Sequence, residues 1–405
     1  MTQLEVKSVK KQDLIQKVAT GLFNSQGIGR VSLAVVAKET GMSRATLYHY
    51  VRNREELVFQ CYMRSVALAS KRLNSTFKLN PLEKILHYIE SSLSDEADDE
   101  AIIADTGLLS QENRERLEIA LHNHYQELET ILAEGIETKS ISRCDTKLLS
   151  RIIPNMLSFI RQSPRWTEDS QSNRRLNGVI DIAKFGIATN RNEKFSVAVD
   201  VNIFSRLKIA GFDKDSLSAM RKEQLLMTGS MLINRRGVEN ISLEDVADAL
   251  GVTRGGVYHY FKDKPKFISE CIERGLGLYN DTMSFVENYN GSGLEKSVVG
   301  LHLNTQAQLG SLQPFLPWNS LDFTQEEQRE KVISGMQSLM QRSERIADIG
   351  LKDKSRRLVD PVNASLMGAG AYLTIPKWID EFSECDTFKV IEEIINFVIY
   401  GLAPK

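Results

Sequence analysis

The chain has 405 residues, 42% hydrophobic and 26% charged, with 9 prolines and 25 glycines. That is two to four domains at the usual ~100–200 residues each, and the composition excludes a largely disordered chain while leaving room for long helices. No apolar run reaches the ~18–20 residues of a membrane span, the N-terminus lacks the apolar stretch of an export signal, and four cysteines without a Cys-x-x-Cys pair make no disulfide framework, so a reduced cytoplasmic protein without a metal or cofactor is expected.

The net charge of −2 hides a pattern. By segment it is +5 over residues 1–64, −4 over 65–204, +2 over 205–275 and −5 over 276–405. Local basic patches, not the average, draw a protein to phosphate.

Taken in chain order, Val9, Leu14, Ile15, Val18, Leu22 and Phe23 keep a helical period over residues 9–25, which Gly27 and Gly29 stop. Ser32 is placed to cap a short helix whose inward face is Leu33, Val36, Ala37 and Thr40. Gly41 breaks it, and Ser43 caps a second short helix that ends by Arg52-Asn53. A longer amphipathic helix is expected from Arg54 to Leu73. Asp95 to Glu100 reads as a solvated loop or helix start. Pro81 and Pro361 suit first helical turns, and Thr324 with Glu327 suits a capping box. The only period-2 run is Phe195 to Phe204, read as part of an extended linker; residues 189–212 could span roughly 75–85 Å.

The pattern then starts again. Residues 27–50 align with 237–260 at a constant offset of 210, with Ser32/Ser242, Leu33/Leu243, Val36/Val246, Ala37/Ala247, Gly41/Gly251, Arg44/Arg254 and Tyr48-His49-Tyr50/Tyr258-His259-Tyr260 identical. Fainter matches follow: Leu82-Glu83-Lys84 with Leu294-Glu295-Lys296, Pro164-Arg165-Trp166 with Pro376-Lys377-Trp378, and Phe185-Gly186 with Tyr400-Gly401. A whole unit of ~200 residues is duplicated.

Two short helices around a glycine, the second opening on arginine, form a helix-turn-helix, whose second helix offers its N-terminal side chains to the major groove. The pattern Ser-Leu-x-x-Val-Ala-x-x-x-Gly-[Met/Val]-[Ser/Thr]-Arg-x-x-[Leu/Val]-Tyr-His-Tyr, present twice, resembles the N-terminal domain of TetR-type transcriptional regulators. The resemblance covers residues 9–60 and 219–270. It implies an all-α chain of two tandem units, each a three-helix DNA-binding domain followed by a helical ligand and dimerisation domain, arranged as an intramolecular pseudo-dimer. The expected divisions are 1–55, 56–190, a linker at 191–212, 213–265 and 266–405.

The resemblance also implies base-edge contacts from Arg44, Ala45 and Tyr48 and from Arg254, Gly255 and Tyr258. Phosphate contacts are implied for Thr46, His49, Tyr50 and Arg54, and for His259, Tyr260 and Lys264. Arginine at a helix start can fork onto guanine O6 and N7, and the other types are ordinary phosphate donors. Copy one departs from the pattern at Val51 and Arg54. Copy two has Gly255-Gly256 for Ala45-Thr46, at about 1 kcal/mol per glycine in helix propensity.

The plainer alternatives are core packing for Leu33, Val36 and Leu47, with packing competing with phosphate binding at Tyr50 and Tyr260. Cys61 and Cys271 read as buried small hydrophobes, and Glu118 with His122 as a surface pair. Phe315, Trp318, Met336, Met340, Tyr372 and Trp378 suit a core, while the family's ligand pocket implies a lining role for Trp318, Met336, Met340 and Tyr372. A bulky helix face (Met156, Leu157, Phe159, Ile160) has a small counterpart (Gly368, Ala369, Gly370, Ala371), which predicts a close approach of the halves. No Gly-x-Ser-x-Gly, phosphate-binding glycine loop or zinc motif argues for an enzyme. The expected function is a ligand-responsive regulator, a repressor by family habit, with double-stranded operator DNA and a small-molecule effector as partners, no membrane, and further oligomerisation left open. The alternative is a ligand-binding or scaffold protein that has lost DNA binding.

Overall fold

A computed structural model describes residues 3–75, 78–103, 106–167, 172–206, 214–318, 326–382 and 386–405. Among these there are helices, short 3₁₀ turns and one isolated bridge between Ala188 and Arg356, but no strand. The first half runs α1 (Gln3–Gln26), α2 (Leu33–Glu39), α3 (Arg44–Tyr48), α4 (Arg54–Asn74), α5 (Pro81–Leu93), α6 (Gln111–Glu137), α7 (Thr146–Gln162) and α8 (Ser172–Phe185). The second repeats it as α9 (Lys214–Arg236), α10 (Leu243–Leu250), α11 (Arg254–Tyr258), α12 (Lys264–Asn288), α13 (Gly293–Leu309), α14 (Glu326–Lys352), α15 (Pro361–Leu373) and α16 (Thr387–Tyr400). No helix is long and apolar enough to cross a membrane among the described residues.

The caps explain where the short helices start. Ser43 Oγ accepts the Thr46 N–H at 3.1 Å, Asn53 Oδ1 accepts that of Glu56 at 2.8 Å, and Thr253 and Asp263 do the same in the second half. Gly41 (φ +66°) and Gly251 (φ +65°) take the left-handed conformation that turns α2 into α3 and α10 into α11. The long helices α4 and α12 run across the expected domain divisions without a break. Pro81 and Pro361 open α5 and α15. Thr324 of the expected capping box lies outside the described residues.

Two expectations need correction. Residues 95–99 form a 3₁₀ turn, and Glu100 is not solvated: it is 3% exposed and ion-paired with Arg72. The linker is extended but does not hang free. Arg191 donates to the carbonyls of Tyr400, Ala403 and Pro404, and the Val201 N–H donates to Gln306 Oε1 at 2.8 Å. Val197, Val199, Val201 and Phe204 pack on apolar side chains of α12 and α13, and their alternation is what fits that surface. Residues 207–212 lie outside the described residues.

The halves share a core. One buried cluster extends from Leu73 to Ala403 and takes in the interior of the second helix-turn-helix (Val246, Val257, Phe261, Phe267). The first helix-turn-helix keeps a separate core around Ile15, Val36, Leu47 and Leu57. At the centre α7 crosses α15, where a Cβ on Gly370 would stand 3.1 Å from Met156 Cγ and from the Met156 carbonyl oxygen. The small face admits the bulky one, as its composition requires. Where α8 and α16 end the contacts are reciprocal: Ile187 and Ala188 donate to the Ile399 carbonyl, while Leu402 and Ala403 donate to Ala183 and Lys184. Arg357 adds a two-pronged pair with Asp181 at 3.0 Å.

Glu393 on α16 is buried in this region, and burial drives its pKa from 4.5 up to about 7. The folded state therefore holds this proton more tightly than the unfolded chain. Its burial costs nothing below pH ~4.5 and costs progressively more as pH rises to ~7. Glu393→Gln is expected to raise the melting temperature at pH 8, by about 1–3 kcal/mol of stability, and to change it little at pH 4.5. Equal gains at both pH values in thermal melts would exclude the charge as the cause.

Candidate nucleic-acid interface

Each short third helix is built to show one face. Leu47 and Val257 are fully buried and fix α3 and α11 by a single apolar anchor. The flanking Arg44, Ala45, Tyr48 and His49, and Arg254, Gly255, Tyr258 and His259, are exposed. Tyr48 is 54% and Tyr258 47% exposed, unusual for so large a ring without a partner surface. A Cβ added at Gly255 would meet nothing within 4 Å, and one at Gly256 only Thr253 Oγ1 at 3.5 Å. Packing therefore does not demand the two glycines that weaken this helix.

The expected phosphate-contacting side chains divide. His49 and His259 are exposed, whereas Tyr50 and Tyr260 are half-buried. Tyr50 packs on the first core, and the Tyr260 hydroxyl accepts from Ser218 Oγ at 3.3 Å. The Thr46 hydroxyl shares a hydrogen bond with Ser43 at 2.8 Å. Arg54 donates to the Gly29 carbonyl at 3.1 Å and Lys264 to that of Glu239 at 3.2 Å. These two cations occupy the same place in both copies, tying α4 and α12 to the loop before α2 and α10. Burial lowers the pKa of Lys264.

The two copies differ electrostatically. Glu244 Oε1 is 3.9 Å from Arg254 Nη1 and accepts from the Tyr258 hydroxyl at 3.4 Å. The matching residue in copy one is Ala34, and among the described residues no carboxylate pairs with Arg44. The acid had a sequence signal, since it replaces a neutral residue one turn from the arginine's partner helix start. Exposed pairs of this kind are worth about 0.2–1 kcal/mol. Glu244→Ala should tighten duplex binding about two- to fivefold and cost at most about 1 kcal/mol of stability; titration of a labelled duplex checks it, and weaker binding would mean that the carboxylate orients Arg254 usefully.

The model for bacterial regulatory proteins of the tetR family matches residues 15–61 and 225–271. The chain carries the TetR-family N-terminal domain twice. The first copy's surroundings and the second's are thus two versions of one family solution. Among curated relatives, the HTH-type transcriptional repressor KstR2 of Mycolicibacterium smegmatis is 32% identical over 60 residues, 15% of this chain and 29% of that protein. The HTH-type transcriptional regulator AcrR of Shigella flexneri is 40% identical over 52 residues, 13% of this chain and 24% of that protein. The matched stretches span less than a third of either relative. The solved structure of the ketosteroid transcriptional regulator KstR2 of Mycobacterium tuberculosis aligns over 49% of this chain and 100% of its own, at 14% identity and a TM-score of 0.39.

Among the cavities behind the TetR-type domains, two bear on the expected ligand-lining residues. One, mainly apolar and about 150 Å³, is lined mostly by the second half, with Met336, Met340 and Tyr372, and by Phe159, Trp166 and Ile187 of the first. Trp318, expected beside them, instead lines a cleft of about 1040 Å³ to which both halves contribute. There its ring packs edge-on to Phe159 at 5.2 Å and lies under the Lys377 ammonium at 4.5 Å. The exposed Glu118 and His122 line the same cleft. Its polar residues belong to no recognised motif, although the sequence carries a signal. Arg151, Asn155, Ser158 and Arg161 form a polar stripe at helical spacing on the otherwise apolar α7. Cys61 and Cys271 are fully buried, donate to the Gln16 and Leu226 carbonyls, and have thiols pushed up to about 12 by burial, which suits packing and not redox chemistry.

Proposed function

We propose that this chain is a ligand-responsive transcriptional repressor of the TetR type that acts in the cytoplasm by binding, not by catalysis, and that one chain serves as a pseudo-dimer on one operator. Residues 1–55 and 213–265 would read the two half-sites, and 56–190 and 266–405 would form the regulatory body. The observation that carries this is the pairing of two outward Arg-Tyr faces, Arg44/Tyr48 and Arg254/Tyr258, with reciprocal contacts between the halves that occupy the place of a two-fold interface. Arg44 and Arg254 are assigned to guanine edges, with Ala45, Tyr48, Gly255 and Tyr258 beside them. His49 and His259 are assigned to phosphate, with Thr46, Tyr50, Arg54, Tyr260 and Lys264 in support. The name of the KstR2 relative as a repressor favours repression.

The test is a mobility shift with the DNA upstream of the protein's own gene. Specific retardation in the usual range of about 10⁻⁸–10⁻¹¹ M at physiological salt, lost on competition with the same duplex, supports the reading. Binding no tighter than to unrelated DNA contradicts it.

A further inference from the structure

The 1040 Å³ cleft is at the upper end of the size range of small-molecule sites. Its chemistry is set by the polar stripe of α7. At the matching positions of α15, 212 residues on, stand Asn363, Met367, Gly370 and Leu373, so three of the four polar side chains have no polar counterpart. Among the described residues Arg151 pairs with Glu381, while Asn155, Ser158 and Arg161 bond only to main-chain carbonyls or a tyrosine hydroxyl, which leaves Arg161 as the cation of the stripe held without a carboxylate.

The charges of the lining are nearly, but not fully, matched. Arg72 pairs with Glu100, Arg151 with Glu381 at 3.1 Å and Arg235 with Asp380 at 3.0 Å. Arg161 has no carboxylate partner among the described residues; its Nη2 donates to the backbone carbonyls of Ala97 and Glu100 at 2.5 and 2.7 Å. Burial lowers its pKa to about 10, with the nearby Arg72 guanidinium acting in the same direction and the Asp98 carboxylate opposing it. Close by, Tyr88 and Ser70 hydrogen-bond the buried His124, and burial holds that ring neutral by lowering its pKa to about 4. Toward the second half the wall turns aromatic, with Phe315, Trp318 and Trp378, and includes Ile233 to Gly237 at the end of α9.

We propose that this cleft is a single effector site per chain for an amphipathic organic anion, a carboxylate or sulfonate on an apolar or aromatic body, whose charged group is taken by Arg161. Calling the ligand an effector rests on the regulator reading; the site itself does not. Because α9 is the first helix of the second DNA-binding domain, the occupant touches that domain directly.

The probes are 1-anilinonaphthalene-8-sulfonate and N-phenyl-1-naphthylamine, which share a ring system and differ in the sulfonate, titrated by fluorescence into the full chain. One sulfonate probe per chain is expected. Arg161→Met should weaken it at least about tenfold and leave the neutral probe within about twofold, while Arg161→Lys retains most of the binding. Ala69→Trp, which narrows the cleft without removing a charge, should weaken both and serves if Arg161→Met fails to fold. Equal effects of Arg161→Met on both probes, no effect on either, or full binding by Ala69→Trp would overturn the proposal. The same preparations are run on operator DNA. Operator binding without probe binding removes the site and leaves the regulator; probe binding without operator binding does the reverse.

Discussion

Gly186→Ala should destabilise the protein by about 2–5 kcal/mol, one of the largest losses from a single added methyl. Gly186 has φ +69°, so any side chain pays for the left-handed backbone. Its Cβ would also lie 2.2 Å from the Ile399 carbonyl oxygen and 2.5 Å from the Tyr400 nitrogen, backbone atoms that cannot turn aside. Gly401 is its mirror, with φ +69° and a Cβ position 2.6 Å from the Lys184 carbonyl, and should respond alike. Gly41→Ala is the control: its φ is +66° but nothing lies within 4 Å, so only the strain, about 1 kcal/mol, is expected. Gly370→Leu, pressed against Met156, should fall between them at about 1–3 kcal/mol. Denaturant titrations measure all four. Equal losses for Gly41→Ala and Gly186→Ala would show that the two halves do not meet there in solution.

Arg44→Ala and Arg254→Ala should each weaken operator binding by about 1–3 kcal/mol, roughly 5- to 150-fold, and relax sequence preference only in the half-site that the altered helix reads. Arg44 is expected to be the more damaging loss, because Arg254 already spends part of its charge on Glu244. A shared guanine contact should recur in both half-sites. The neighbouring positions should differ, since Ala45 can touch a thymine methyl and Gly255 cannot. Selection from random DNA, repeated with each variant, reads this out. A perfect palindrome, or identical losses across both half-sites, would reject the asymmetric assignment.

The helix-turn-helix was legible because it is local. Ser32, Gly41, Ser43 and Leu47 each act within a few residues, and repetition at an offset of 210 multiplied the signal. The close crossing of α7 and α15 was legible from side-chain volume alone, since glycines and alanines opposite Met156 and Phe159 leave few other arrangements. What depends on distant chain was not. Glu100 looks like one acid in an acidic run until Arg72 is brought beside it, and the linker's alternation acquires a partner only when α12 and α13 are in place. Trp318 was grouped with Met336, Met340 and Tyr372 by proximity in sequence, but the fold carries it into the other cavity. The polar stripe of α7 was readable in principle, and was obscured because the same helix supplies the apolar face of the interface.

If one chain carries both half-site readers, as proposed, an intramolecular second contact replaces dimer assembly. The direct measurement is the mass of the protein–operator complex in solution, by light scattering or sedimentation across a wide range of protein concentration. One chain of 45.7 kDa on one duplex, with no concentration-dependent dimerisation preceding binding, is the expected result. Two chains per duplex as the smallest species that binds specifically would contradict it.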